Sequence, residues 1–236
     1  MSFDWKNYTL EQLRTHAVTS YREGGGSRPD VLLLEIDGQQ AVLKDHNQMD
    51  PKFAFWVGRL LVWRELKALK RLESVAGIPR VLAVPDTRAI LMEHIQARQV
   101  VNIPNEEYEA KEYLAKLRDL LERMHAAGVG HGDLRSPTNA LISENGDAAL
   151  VDFVASIGRG SKWNIVNRYL FNKMMLVDIS AITKLKKRIA PELLNDKDFE
   201  ASSVAGKKGM LFRKVGQMVR NMSRRLLSKK SQSTKD

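Results

Sequence analysis

The chain has 236 residues, 43% of them hydrophobic, no cysteine and a formal net charge of +10. That length suits one large domain or two small lobes, and the apolar content is enough for a core, which excludes wholesale disorder. The lack of cysteine excludes disulfides, thiolate metal sites and a cysteine nucleophile.

The opening, MSFDWKNYTL, carries an acid and polar residues where a signal peptide needs a basic patch and an apolar run. No uncharged apolar run reaches the roughly 18 residues of a spanning helix. A cytoplasmic protein, with peripheral attachment at the inner membrane as an option, is therefore the expectation. The charge is uneven. Residues 201–236 hold ten Lys or Arg and one Asp, leaving about +1 for the first 200 residues.

In chain order, DWKNYTLEQLRTHAV opens as a helix and THAVTSY (15–21) as an extended strand. REGGGSRPD is a loop, and the apolar runs on either side of Asp37-Gly38 predict a hairpin, since both turn positions favour positive φ. Lys44 ends its second strand. Residues 52–76 predict a helix closed by Gly77 and Pro79, with Leu61, Arg64, Glu65 and Leu69 close together on its surface. RVLAV and RAILMEHI predict two strands joined at Pro85-Asp86. Residues 105–127 predict a helix with a stripe of Leu114, Leu117, Leu121 and Met124, capped by Gly128. After the polar loop HGDLRSPTNALI, the runs ALI and AALVDF predict strands around Asn145-Gly146, and the remainder to about residue 190 reads as helix. A mainly antiparallel small lobe followed by a helical lobe is an α+β arrangement.

The polar loop concentrates chemistry. Asp133 and Asn139 are oxygen ligands or bases, and Asp152, thirteen residues after Asn139, returns beside them once the chain turns at Asn145-Gly146. A hard cation such as Mg²⁺ needs few protein oxygens and shares its other positions with phosphates and water. Asn139 and Asp152 supply such a pair, leaving Asp133 to orient a hydroxyl and take its proton. Taken singly, each feature has a plain structural reading: a solvated loop, a snorkelling strand lysine, a solvated helix glutamate, a flexible glycine connector. Their joint order is what points to a site.

That order (glycine loop, AVLK strand lysine, helix glutamate, HGD with a following Asn, then DF) resembles the protein-kinase superfamily signature. Lys44 and Glu65 stand 21 residues apart, room for a strand, a linker and part of a helix. The resemblance covers roughly residues 15–190 and is to the compact bacterial RIO-like and lipopolysaccharide-kinase-like branch, to which SIGRGSKWNIVNRYLF and AITKLKKRIAPELL are also similar. Departures are DFV for DFG, HGD for HRD, one extra residue between Asp133 and Asn139, and no A-P-E or long activation segment.

The resemblance implies a two-lobed protein-kinase-like fold, with an N-lobe over 1–95, a C-lobe over 96–200 and a basic tail over 201–236. It implies ATP and Mg²⁺ as cofactors. Gly24, Gly25 and Gly26 would approach the phosphates, Lys44 would hold them and Glu65 would pin Lys44. The backbone at Glu93–Ile95 would meet adenine. Asp133 would orient the acceptor hydroxyl, Arg135 would stand near the transferring phosphoryl, and Asn139 and Asp152 would hold Mg²⁺. The expected activity is transfer of the γ-phosphate to a hydroxyl of a lipid-linked sugar or of protein Ser or Thr. The alternatives are a pseudokinase scaffold and a RIO-type protein kinase associated with ribosomes.

The tail is a separate device. Leu211, Val215, Met218, Met222 and Leu226 fall at helical spacing with basic residues around them. Such a pattern suits an anionic membrane surface; packing on the protein's own body and contact with RNA are the other readings.

Overall fold

The computed structural model describes residues 4–50, 54–104 and 107–195. The basic tail lies outside the described residues. A short helix α1 (Leu10–Thr15) opens the chain, its Thr9 and Gln12 forming a reciprocal capping box. Five strands follow around one intervening helix: β1 (Ala17–Arg22), β2 (Asp30–Ile36), β3 (Gln39–Asp45), α2 (Arg59–Arg71), β4 (Val81–Asp86) and β5 (Ala89–Glu93). They form one antiparallel sheet in the order β1-β2-β3-β5-β4. Asp37 and Gly38, at φ 50° and 73°, make the predicted β2–β3 turn.

The remainder is built from β6 (Ala97–Gln99), α3 (Ala110–Ala126), β7 (Val129–Gly130), β8 (Ala140–Ser143), β9 (Ala148–Leu150), β10 (Ile157–Gly158) and α4 (Ile165–Ile189). β6, β8 and β9 form a three-stranded sheet, and β7 pairs with β10. Among the described residues no helix is long and apolar enough to cross a membrane.

Alternation along the strands gives the large sheet two apolar faces. Leu34, Leu43 and Leu91 pack with Trp5 and Leu13 on the α1 side. Ile90 and Met92 face the other way and join Val62, Leu69 and Leu72 in a core that runs on through Leu117, Leu120, Phe153 and Ile182. The second core therefore ties the sheet to the helical part.

Four predicted boundaries move. The 52–76 helix begins as a π-helical turn, Ala54–Gly58, and its α-helical part ends at Arg71. The Leu72 amide is shared between the Ala68 and Leu69 carbonyls (3.1 and 3.0 Å), which tightens the end and closes the helix early. Gly77 is not the cap. A Cβ there would come within 2.7 Å of the Ala148 carbonyl, so it is the point where this connection approaches β9. Pro85 and Asp86 belong to β4, and the turn falls at Thr87-Arg88, where the Asp86 carboxylate accepts the Arg88 amide at 2.8 Å. β4 is an edge strand, so proline's missing N–H leaves no ladder partner orphaned. The next helix starts at Ala110, behind a turn in which the Glu107 amide bonds to the Pro104 carbonyl.

His46, just past β3, is 1% exposed, and its Nε2 finds no hydrogen-bond partner among the described residues. Burial, helped by nearby Lys44, lowers its pKa from 6.5 to about 4. The unfolded chain takes up this proton below pH 6.5 while the fold refuses it until about pH 4. Stability from this group is thus complete above the unfolded value and lost as pH falls through that window, by up to about 3 kcal/mol at 1.36 kcal/mol per pKa unit. Urea midpoints measured from pH 7 to 4 should fall more steeply for the native chain than for His46→Leu. Parallel curves would remove His46 as the cause.

Candidate active site

Lys44 lies on β3 with Asp45 beside it, and alternation sends them to opposite faces. Asp45 meets Arg14 of α1, while Lys44 turns towards α2. The Lys44 ammonium lies 2.9 Å from Glu65 Oε2 and donates to Glu65 Oε1 at 3.0 Å and to Asp152 Oδ1 at 2.8 Å. Glu65, 1% exposed, also accepts the Phe153 amide at 3.2 Å. One carboxylate therefore joins the strand lysine to the segment that carries Asp152.

Asp152 is left-handed, with φ 67° and ψ 71°. Aspartate is one of the few side chains that tolerate this region, at a cost on the order of 1 kcal/mol or more. The next residue, Phe153, is fully buried with its ring 4.6 Å from that of His131. Phe153 is thus an anchor and Asp152 projects from it towards the lysine.

The charges settle accordingly. Burial pulls the Lys44 amine down, but Glu65 and Asp152 more than restore it, and its net shift is upward. Burial raises Glu65 beyond what Lys44 offsets. Burial pushes Asp152 up as well, yet Lys44 outweighs it and holds the carboxyl below its ordinary range. The site keeps a charged ammonium beside an ionised Asp152.

The polar loop follows β7. Asn139 Nδ2 donates to the Asp133 carbonyl at 3.0 Å and stands 3.4 Å from Asp133 Oδ2. The Asn139 amide nitrogen is thus committed to the loop, and its oxygen, 3.4 Å from Thr138 Oγ1, is the amide atom that could hold a cation. His131 Nδ1 accepts the Asp133 amide (3.3 Å) and His131 Nε2 lies 3.0 Å from the Val151 carbonyl, so the proton belongs on Nε2. Burial lowers the His131 pKa, consistent with a neutral ring.

Asp178 of α4 supports this loop from beneath. It is fully buried, and its Oδ2 accepts the His131 amide at 2.8 Å while its Oδ1 accepts the Gly132 amide at 2.9 Å. His125 Nε2 of α3 lies 3.0 Å from Oδ2. Sequence reasoning missed this residue. Its signal is a lone acid inside the apolar run MMLVDISAI.

A cavity of about 380 Å³ opens between the large sheet and the loop segments. Lys44, Glu65, Glu93, Ile95, Asn139 and Asp152 all line it, together with Val31, Val42, Met92 and Leu141. Its walls thus combine apolar side chains with the charged Lys44, Glu65, Glu93 and Asp152. Arg22, the last residue of β1, also lines it and was not anticipated. Its signal is a cation two residues ahead of the first glycine.

The other sequence candidates fall outside the lining. Gly24 donates its amide to Asp30 Oδ1 at 2.5 Å, and Gly25 and Arg28 exchange backbone hydrogen bonds, so Gly24, Gly25 and Gly26 form a closed turn that does not line the cavity. Asp133 is exposed next to Asn139. Arg135 is half-buried with its Nε unpaired among the described residues, and it too lies outside the lining. The Glu93 amide donates to the Arg80 carbonyl at 2.8 Å and is therefore spent within the sheet.

The donor set fits a hard cation held with phosphates: one ionised carboxylate, one amide oxygen and two cations for the phosphates. Among the described residues no group of three or more His, Cys, Asp or Glu is placed to hold a metal ion.

Residues 35–162, more than half of the chain, match the RIO domain. The chain belongs to the RIO domain family. The Rio2 kinase from Chaetomium thermophilum shares the fold at a TM-score of 0.56 and 18% identity, over 80% of this chain and 64% of that kinase. This chain thus spans somewhat under two thirds of that kinase's length. The same kinase in its ADP/Mg²⁺-phosphoaspartate complex is similar at 0.56 and 18%, over 84% of this chain and 68% of that one. WaaP in complex with acyl carrier protein is similar at a TM-score of 0.52 and 17% identity, over 91% and 90% of the two chains. No curated protein matches the sequence. At these identities the structural likenesses bear on the fold, which is the kinase-like α+β arrangement of Rio2 and WaaP.

Proposed function

We propose that this RIO domain protein is a Mg²⁺-dependent phosphotransferase that moves the γ-phosphate of ATP to a hydroxyl acceptor. The observation that carries the reading is the Lys44–Glu65–Asp152 cluster in the wall of a cavity of about 380 Å³. Family membership supports it, as does the ADP/Mg²⁺ complex of the Rio2 kinase.

Adenine lies between Val31, Val42, Met92 and Leu141, with its polar edge towards the backbone of His94 and Ile95. Lys44 and Arg22 meet the phosphates. Asn139 and Asp152 would hold Mg²⁺, whose chemistry is to neutralise negative charge on the transferred group. Asp133 orients the acceptor hydroxyl and receives its proton, and Arg135 stands near the transferring phosphoryl and offsets its charge. Catalysis is then positioning plus electrostatic stabilisation. The acceptor is a hydroxyl of a lipid-linked sugar or of a protein side chain at the inner membrane. The basic tail contributes attraction to anionic lipid.

The test is nucleotide binding and ATP turnover of the purified chain with and without Mg²⁺. Arg22→Ala should weaken ATP binding on the order of tenfold, the value of one charge-assisted contact, and should weaken adenosine binding far less. Equal loss for both ligands would take Arg22 away from the phosphates. No Mg²⁺-dependent binding by the native chain would overturn the proposal.

A further inference from the structure

The strongest unexplained feature lies outside the cavity, at the start of α4. Trp163 is 93% exposed, Ile165 77%, Val166 69% and Tyr169 56%. A soluble surface rarely gathers its large apolar groups in this way. The charge around them is one-sided. Between Asp152 and Asp178 the sequence has no Asp or Glu, while Lys162, Arg168 and Lys173 lie among or beside the apolar side chains. The tip is also firmly built. Asn164 caps α4 by accepting the Asn167 amide at 2.9 Å, and Gly160 packs against both asparagines.

We propose that this tip is a membrane-facing surface that seats on an anionic bilayer. Ile165, Tyr169, Lys173 and the part-exposed Leu176 follow one another along a single helix stripe, with the buried Phe171, Met174 and Val177 on the opposite face. Tyrosine and tryptophan favour the headgroup level, isoleucine and valine the acyl boundary, and lysine and arginine the anionic headgroups. Lys173 lies 5.1 Å over the Tyr169 ring, so the charge and the apolar group travel together. An RNA partner would use the cations and the aromatic faces but has no use for exposed Ile165 and Val166. A folded acidic protein needs cations paired to particular acids, whereas a bilayer needs only that acids be absent.

The position has a consequence for substrate. β10 leads into this tip and pairs with β7, which leads into His131 and Asp133. Met174 of α4 lies against Gly132. The stripe and the loop that receives the acceptor thus flank opposite faces of α4, one helix diameter (roughly 10–12 Å) apart, which names the acceptor class as a hydroxyl that a membrane lipid carries above the bilayer surface. That last step rests on the phosphotransfer reading; the surface itself does not.

Because the chain has no native cysteine, Trp163→Cys in the full chain accepts a single environment-sensitive fluorophore, and Glu144→Cys, exposed on the β8–β9 turn, serves as the control. Vesicles of phosphatidylcholine with phosphatidylglycerol should shift the emission at position 163 to the blue and leave position 144 unchanged. Phosphatidylcholine alone should do neither. In the unlabelled chain, Lys162→Gln, Arg168→Gln and Lys173→Gln together should weaken partitioning at least tenfold, at about one order of magnitude or less per charge. Pelleting with vesicles without a shift at position 163 overturns the proposal, because another part of the chain then makes the contact. A response at position 163 to polyuridylate but not to vesicles also overturns it, in favour of nucleic acid. ATP binding by the native chain, measured in parallel, separates this outcome from failure of the phosphotransfer reading.

Discussion

Asp152→Asn is expected to abolish nearly all Mg²⁺-dependent ATP turnover, by a factor on the order of 10²–10⁴. The substitution keeps the shape and the hydrogen bond that Lys44 gives to Oδ1, but it removes the ionised carboxylate proposed to hold the cation. Charge stabilisation by a bound cation is worth several kcal/mol, and each 1.36 kcal/mol is tenfold in rate. ATP binding without Mg²⁺ should change little or improve, since a negative group near the phosphates is gone. The pair of measurements is decisive: unchanged turnover would show that Asp152 is not the ligand. Loss of Mg²⁺-independent binding would point instead to collapse of the Lys44 cluster.

Lys44→Met and Glu65→Gln, made singly and together, should be strongly non-additive in both stability and ATP affinity. The two groups are 7% and 1% exposed at the side chain and 2.9 Å apart. Lys44→Met leaves two carboxylates facing each other without their shared cation. It should cost about 3–5 kcal/mol, the usual result of removing one member of a buried pair. Glu65, already raised by burial, should then take a proton, so the loss should be smaller at pH 5 than at pH 8. Once Lys44 is gone, Glu65→Gln should recover part of the loss. Denaturant melts and ATP titrations of the four proteins give the coupling energy directly. Additive effects would mean that the pair does not act as a unit.

The residues of this cluster could be read from the sequence because each is marked by its own local context. Lys44 closes a strand that an Asp-Gly turn defines, Glu65 falls on a strongly periodic helix, and Asp152 ends an apolar run. Their spacing then limits where they can meet. Asp178 has no such mark. It acts on His131 and Gly132 from 47 and 46 residues away, and only the packing of α4 under the loop brings it there. Arg22 was hidden for a related reason: whether the end of β1 faces the cavity depends on bulges in its pairing with β2, which alternation alone does not reveal. The glycine triplet is placed apart from the cavity lining. Its composition suits a phosphate cradle, but Asp30 draws Gly24 into a turn beside the sheet. Helix ends shifted where tertiary contacts, such as Gly77 against β9, used a residue that local rules assign to capping.

The carboxylate of Asp178 bears on when the cost of order is met. It fixes two consecutive backbone amides of the loop, and at 0% exposure it cannot exchange them for water without α4 moving. The loop's conformational entropy is therefore surrendered during folding, before any nucleotide or acceptor arrives. Ligands meet a loop already in place and lose little affinity to ordering it. In hydrogen exchange, the amides of His131 and Gly132 should behave as core amides and not as loop amides, opening only on the timescale of global unfolding even in the absence of ATP.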